Sequence, residues 1–339
     1  MTDRRRGIVL ALPSKGHLYE RSIDFLNSCG LAVRRYGNER EYTAKLVGVE
    51  GIEVAFFRAD EIPTRVDQGI AHLGITGEDL YRESGIHHQG SYLLIRDLGF
   101  GAARLVVAVP RTWIDLTSIE DLVEVATLFR QKHGRSMRVA TKFPNLTRAY
   151  FADRGIADYR IVESWGATEG APSSDAADIV IDLTSTGATL SQNYLKEIPG
   201  GTILSTQACL IASLRSEIWG QDEARSLLRH FVEQIEARLR AESILLLNFS
   251  MAGTVFDKIR RELVSRLNCV IHSSVLSGAD DRAEISAYCP KGAAYEVASF
   301  LRNNGCANVL VNRAQFLYES ESKAFEAFRL ALKKYKSAE

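Results

Sequence analysis

The stretch IVIDLTSTGATL, residues 179–190, decides how the chain is read. Ile179, Val180 and Ile181 form an uninterrupted apolar run of the kind that fills a central strand with both faces covered. Asp182 then falls where that strand emerges at its carboxyl end, which is where open α/β sheets bind ligands. Thr184, Ser185, Thr186, Gly187, Ala188 and Thr189 follow as a small-residue turn leading into a helix. Exposed backbone N–H groups and hydroxyls at such a turn make an anion site without a lysine. Gly187 lets the backbone approach a phosphate closely, and Asp182 is placed to accept hydrogen bonds from sugar hydroxyls. The pair suits a sugar phosphate. A strand, an acid and a well-capped helix would give the same letters, so the stretch alone leaves both readings open.

Outward from it, apolar runs alternate with helical periodicity. Strands are expected at 7–13, 52–57, 72–76, 103–110, 137–141, 159–164, 178–182 and 201–205. Helices are expected at 18–30 and 118–134, each closed by a glycine. The alternation predicts an α/β fold with mainly parallel sheets. At 221–242 one long amphipathic helix, QDEARSLLRHFVEQIEARLRAE, reads as a bridge into a new unit. From residue 243 the pattern is strand, helix, strand, strand, helix, strand, a ferredoxin-like (βαββαβ) α+β unit.

A chain of 339 residues has room for two or three domains. Lys plus Arg and Asp plus Glu are equal at 42, so net charge gives no argument for a nucleic-acid or membrane partner. The apolar run near the start is too short for a signal sequence, and no run approaches a spanning helix. The five cysteines are scattered without CxxC spacing, which points to neither a disulfide framework nor a zinc site. A cytoplasmic enzyme with reduced thiols is expected.

At this point the chain resembles the ATP phosphoribosyltransferase family, long form with a C-terminal regulatory domain. ADIVIDLTSTGATL looks like its phosphoribosyl-diphosphate (PRPP) loop. ALPSKGHL (11–18), FFRADEIPTRVDQG (56–69), LGITGEDL (73–80), DLGFG (97–101), VATKFPNLTRAYFADRGI (139–156) and GATEGAP (166–172) match family motifs in order. The resemblance implies that N1 of ATP attacks C1 of PRPP, releasing pyrophosphate and forming phosphoribosyl-ATP, with Mg²⁺ on the phosphates, as the first step of histidine biosynthesis. It implies a bilobal catalytic region resembling type II periplasmic binding proteins. Lobe I would be 1–104 with 193–220, and lobe II, with the PRPP loop, 105–192. Residues 221–339 would form the linker helix and regulatory domain, which binds histidine as an allosteric inhibitor. Dimers assembling into hexamers are implied as well.

The resemblance also assigns roles. Asp182 would hold the ribose hydroxyls and Thr184, Ser185, Thr186, Gly187, Ala188 and Thr189 the 5′-phosphate. Glu169 would lie near the ribose and, with Asp182, the metal. Arg40 and Arg58 would clamp pyrophosphate or ATP phosphates, a task suited to the guanidinium fork. Lys15, His17, Gly77, Glu78 and Asp97 would line the ATP side, with Gly74 and Asp79 at the same rim. Taken singly, each charged residue reads equally as a solvated surface group. His17 departs from the family's usual PSKGR, where arginine follows the glycine. His87 and His88 have no third ligand spaced with them and read as a loop.

Three rivals stand beside this reading. Another phosphoribosyltransferase class pairs two adjacent acids, whereas Ile181 precedes Asp182 here. A solute-binding protein would carry an export signal. A cytoplasmic binding or regulatory paralogue would have lost the catalytic positions, which this chain retains.

Overall fold

The computed structural model describes residues 7–35, 43–85, 90–164, 168–277 and 281–338. Arg40, His87 and His88 lie outside them. The chain divides into two compact units: residues 1–27, 31–225 and 327–339 form the first, and 28–30 with 226–326 the second.

The first unit holds two mixed sheets. One contains β1 (Ile8–Pro13), β2 (Ala32–Arg35), β3 (Thr43–Val47), β4 (Ile52–Phe57), β5 (Leu73–Gly77), β6 (Ser91–Ile95) and β12 (Ala208–Ser213), in the order β2-β3-β4-β1-β5-β12-β6. The other contains β7 (Ala103–Pro110), β8 (Met137–Thr141), β9 (Tyr159–Glu163), β10 (Ile179–Thr184) and β11 (Leu195–Thr206), in the order β11-β7-β10-β8-β9. Parallel pairing is confined to β4-β1-β5 and to β10-β8-β9. The expectation of mainly parallel sheets is therefore corrected. The sequence pattern does not mark β2, β3, β6 and β12, and in each sheet a strand arriving from the other sheet inserts antiparallel without a crossover helix.

The centre of the second sheet follows from residues 179–181. Ile179 and Ile181 pack with Leu122 and Phe151, while Val180 joins Val106, Ala108 and Leu190 on the opposite face. All three strand residues are fully buried, each contributing about 1.5–3 kcal/mol of burial energy. Leu122 comes from α4 (Asp121–His133), which Gly134 ends in the left-handed conformation at φ 65°. Phe151 comes from α5 (Pro144–Asp153), which has proline at its start. This unit also holds α1 (His17–Ser28), α2 (Ile62–Asp67), α3 (Glu78–Glu83) and the five-residue α6 (Ala188–Gln192). Gly74 has a packing reason, since a Cβ there would stand 2.6 Å from Ile62 of α2.

The chain passes between the two sheets around residues 96–103 and 206–208. These segments lie side by side, with Leu98 N–H on the Ala208 carbonyl at 3.1 Å and Ala208 N–H on the Phe100 carbonyl at 3.0 Å. β11 belongs to the second sheet, so the return to the first comes at Gln207 and not at the expected residue 193.

α7 (Asp222–Ser243) leads into the second unit, where β13 (Ile244–Ala252), α8 (Gly253–Ser265), β14 (Val270–Ser277), β15 (Arg282–Pro290), α9 (Ala294–Asn303) and β16 (Val309–Asn312) come in turn. Their sheet is antiparallel throughout, ordered β14-β15-β13-β16. Phe256, Ile259, Leu263, Val297 and Leu301 from the two helices pack on Leu247, Phe249 and Ile285. α10 (Lys323–Ala338) is a further helix, not among the expected elements although Phe325, Phe328 and Leu332 are buried at helical spacing. From Ala327 onward it belongs to the first unit, where Phe328 meets the Tyr92 and Trp219 rings at 6.0 and 5.6 Å. Residues 327–338 are thus corrected out of the region 221–339.

Candidate active site

Asp182 lies two residues inside β10 and not at its end. On one side it still pairs with Val106 of β7, but the parallel neighbour β8 has stopped at Thr141, opposite Ile181. Its carboxylate is half-buried beside the mouth that β8 vacates, and Oδ1 accepts from the Leu183 N–H at 2.8 Å. Burial pushes its pKa above the ordinary carboxylate value, with the Leu183 N–H and the Lys142 charge pulling it down and Glu169 pushing it up. Glu169 stands in a single 3-10 turn, Thr168–Gly170, against β10. Asp182, Glu169 and Lys142 are therefore electrostatic neighbours.

The loop after β10 is held by its own hydroxyls. The buried Thr184 Oγ1 accepts from the Gly187 N–H at 2.8 Å, so this threonine shapes the turn. Ser185, Thr186, Ala188 and Thr189 are exposed. Gly187 has φ 76°, and a Cβ there would come within 3.2 Å of Glu197, whose carboxylate is paired with Arg104 at 2.7 Å.

Two cavities bear on the site, and of these only the smaller has β10 residues in its lining. The larger, about 600 Å³, is lined by residues at or beyond three strand ends: Arg58, Ala59 and Asp60 after β4, Thr141 and Lys142 at the end of β8, and Ser164 after β9. Arg58 makes a two-point pair with Asp60 at 2.8 and 3.1 Å, which leaves its guanidinium exposed at the cavity. The smaller, about 540 Å³, is lined by His17 and Arg21 of α1, by residues 99–103 and by Leu183, Thr184 and Ser185. Lys15 is exposed in the turn before α1.

The other expected ATP contacts stand differently. Glu78 is buried and bound by two arginines, Arg82 at 2.7 Å and Arg96 at 3.0 Å. Gly77 leaves room for the Asp79 carboxylate, which would stand 2.3 Å from a Cβ there. Asp79 itself is buried on the Thr206 hydroxyl, and desolvation raises its pKa while that bond lowers it. Asp97 is exposed and closes the turn by accepting from the Gly99 N–H at 2.7 Å. Lys142 and Arg21 are not among the residues that the sequence singles out. For Lys142 the available signal was its place directly after the β8 pattern in VATKFPN.

The family model for HisG, ATP phosphoribosyltransferase, matches residues 58–237. An ATP phosphoribosyltransferase of Bradyrhizobium diazoefficiens is 41% identical over 324 residues, covering 94% of this chain and 98% of that protein. One from Rhodopseudomonas palustris is 42% identical over 317 residues, covering 94% of this chain and 96% of that protein. Among solved structures, a chain of the ATP phosphoribosyl transferase (HisG:HisZ) complex from Thermotoga maritima aligns with a TM-score of 0.50 at 25% identity, covering 68% of this chain and 98% of that one. This chain belongs to the ATP phosphoribosyltransferase family, the enzymes of the first step of histidine biosynthesis.

Proposed function

We propose that the chain joins N1 of ATP to C1 of PRPP at these two cavities, releasing pyrophosphate and forming phosphoribosyl-ATP. The observation that carries this reading is Asp182, set next to Glu169 and Lys142 at the head of a Ser/Thr/Gly loop. Asp182 accepts hydrogen bonds from the ribose hydroxyls. The exposed Ser185, Thr186 and Thr189, with the backbone at Gly187, take the 5′-phosphate, while Thr184 holds the turn. Arg58 and Lys142 line one cavity from different sheets and face the departing pyrophosphate. Charge grows on that group as the ribosyl carbon becomes cationic, so donors already in place stabilise it without reorganising. Alignment of the two substrates supplies several kcal/mol more.

Among the described residues no cluster of three or more His, Cys, Asp or Glu could hold a metal. Two neighbouring carboxylates fit Mg²⁺ in the way it usually binds, through one or two acids plus substrate phosphates. Asp182 and Glu169 would hold it. The ion would neutralise the diphosphate as it leaves.

A bilobal arrangement resembling type II periplasmic binding proteins is supported by the matching pattern of the two sheets, each with a parallel centre and an antiparallel strand received from the other. A ferredoxin-like regulatory domain is supported by the βαββαβ order and the β14-β15-β13-β16 sheet. Histidine inhibition through this domain is supported by a cavity of about 410 Å³ whose mixed lining includes the polar Asn248, Ser250, Ser273, Glu284 and Asn308. Homo-oligomer formation is supported by the apolar Val270, Val275 and Leu310, each 60% or more exposed on the same unit. No described helix is long and apolar enough to cross a membrane.

The test is a coupled assay with PRPP, ATP, Mg²⁺ and pyrophosphatase, with and without histidine. Formation of phosphoribosyl-ATP is expected, falling when histidine is added. Absence of product from folded protein would overturn the catalytic reading. Product indifferent to histidine would overturn the regulatory one.

A further inference from the structure

Arg21 lies four residues beyond His17 on α1, so the two side chains are neighbours on one helix face. Both line the cavity of about 540 Å³ that Thr184 and Ser185 also line. No lining residue is acidic. Four described arginines of this unit are already engaged: Arg58 with Asp60, Arg82 and Arg96 with Glu78, Arg104 with Glu197. Arg21, among the described residues, has no ion pair or hydrogen bond.

An unpaired guanidinium in a concave, acid-free site presents five donors in a fixed fork, and that geometry matches the oxygens of a phosphate group. Arg21 and His17 are both exposed at this cavity, so their side chains are free to turn toward an anion. We propose that Arg21, assisted by the His17 ring, binds a substrate phosphate in this cavity. The inference rests on the reaction proposed above and names a further residue of its binding site. The ligand chemistry is a phosphate ester or diphosphate, which either PRPP or ATP supplies.

The test compares the full-length wild type with Arg21→Gln and Arg21→Lys. It measures the KM of each substrate in the coupled assay and the Kd of PRPP and of ATP, each titrated alone with Mg²⁺ by calorimetry. Arg21→Gln is expected to weaken one substrate 10- to 100-fold and leave the other within twofold, with an unchanged melting temperature. Arg21→Lys should recover part of the loss, since it keeps the charge without the fork. A loss confined to PRPP assigns the phosphate to PRPP, and one confined to ATP assigns it to ATP. Both substrates within twofold of wild type, or an equal loss for both with a lowered melting temperature, would overturn the proposal. Wild type that binds both substrates but yields no phosphoribosyl-ATP would instead sink the reaction, and the titrations would still judge Arg21.

Discussion

Asp79 and Thr206, 127 residues apart, are joined twice through one hydroxyl. Thr206 Oγ1 donates to Asp79 Oδ1 at 2.7 Å and accepts from the Asp79 N–H at 2.9 Å. Both residues are buried, and Thr206 ends the strand from which the chain returns to the first sheet. The bond therefore ties the start of α3 to a crossing between sheets. Thr206→Val keeps the shape and leaves a buried carboxylate short of a donor, at an expected cost of about 1–3 kcal/mol in urea unfolding. Because the hydroxyl favours the ionised acid, the deficit should be largest at neutral pH and shrink as Asp79 protonates.

His72 links stability to pH. Its Nδ1 accepts from the Val9 N–H at 2.7 Å, and burial lowers its pKa from 6.5 to about 4. The fold favours the neutral ring, so this stabilisation is complete above pH 6.5 and is lost as pH falls through about 4. The loss amounts to roughly 3 kcal/mol. His72→Asn keeps an acceptor near the same place and should flatten the stability profile across that window.

Glu78 is expected to be structural. Its carboxylate is held by Arg82 and Arg96, both of which are themselves partly exposed, so Glu78→Gln should cost about 1–3 kcal/mol. The KM for ATP should stay within twofold. A tenfold rise in that KM at unchanged stability would return Glu78 to the ATP contacts.

Asp182→Asn should lower kcat/KM at least 100-fold, about 2.7 kcal/mol of transition-state stabilisation, with little change in melting temperature. Lys142 holds the Asp182 pKa down. Lys142→Met should therefore shift the acidic limb of the kcat/KM profile to higher pH. An unmoved limb would separate Lys142 from Asp182.

Gly187→Ala places a side chain at φ 76° and 3.2 Å from Glu197. The left-handed conformation alone costs about 1–2 kcal/mol. Melting should drop by a few degrees, and the KM for PRPP should rise because the phosphate loop is displaced.

The sequence by itself determined the elements whose pattern is local. β4, β7 and β8 have the expected limits, and the βαββαβ order after residue 243 is the one observed. Apolar runs, periodicity and terminal glycines act within a few residues, so they are legible one segment at a time. The motifs that show the family are of the same kind, each a short phrase around a strand end. Only the tertiary structure decided which strands pair. β12 lies between β5 and β6, more than a hundred residues earlier in the chain, and no local signal carries such a pairing. It also decided which charged residues remain free. Glu78 is spent because Arg96, from the end of a strand eighteen positions on, reaches it along with Arg82. Lys142 faces a cavity because β8 stops one residue short of Asp182's level. Arg21 shares a cavity with Thr184 and Ser185 because residues far apart in the chain meet there. Side-chain direction and partner availability are non-local quantities, fixed when the sheets assemble.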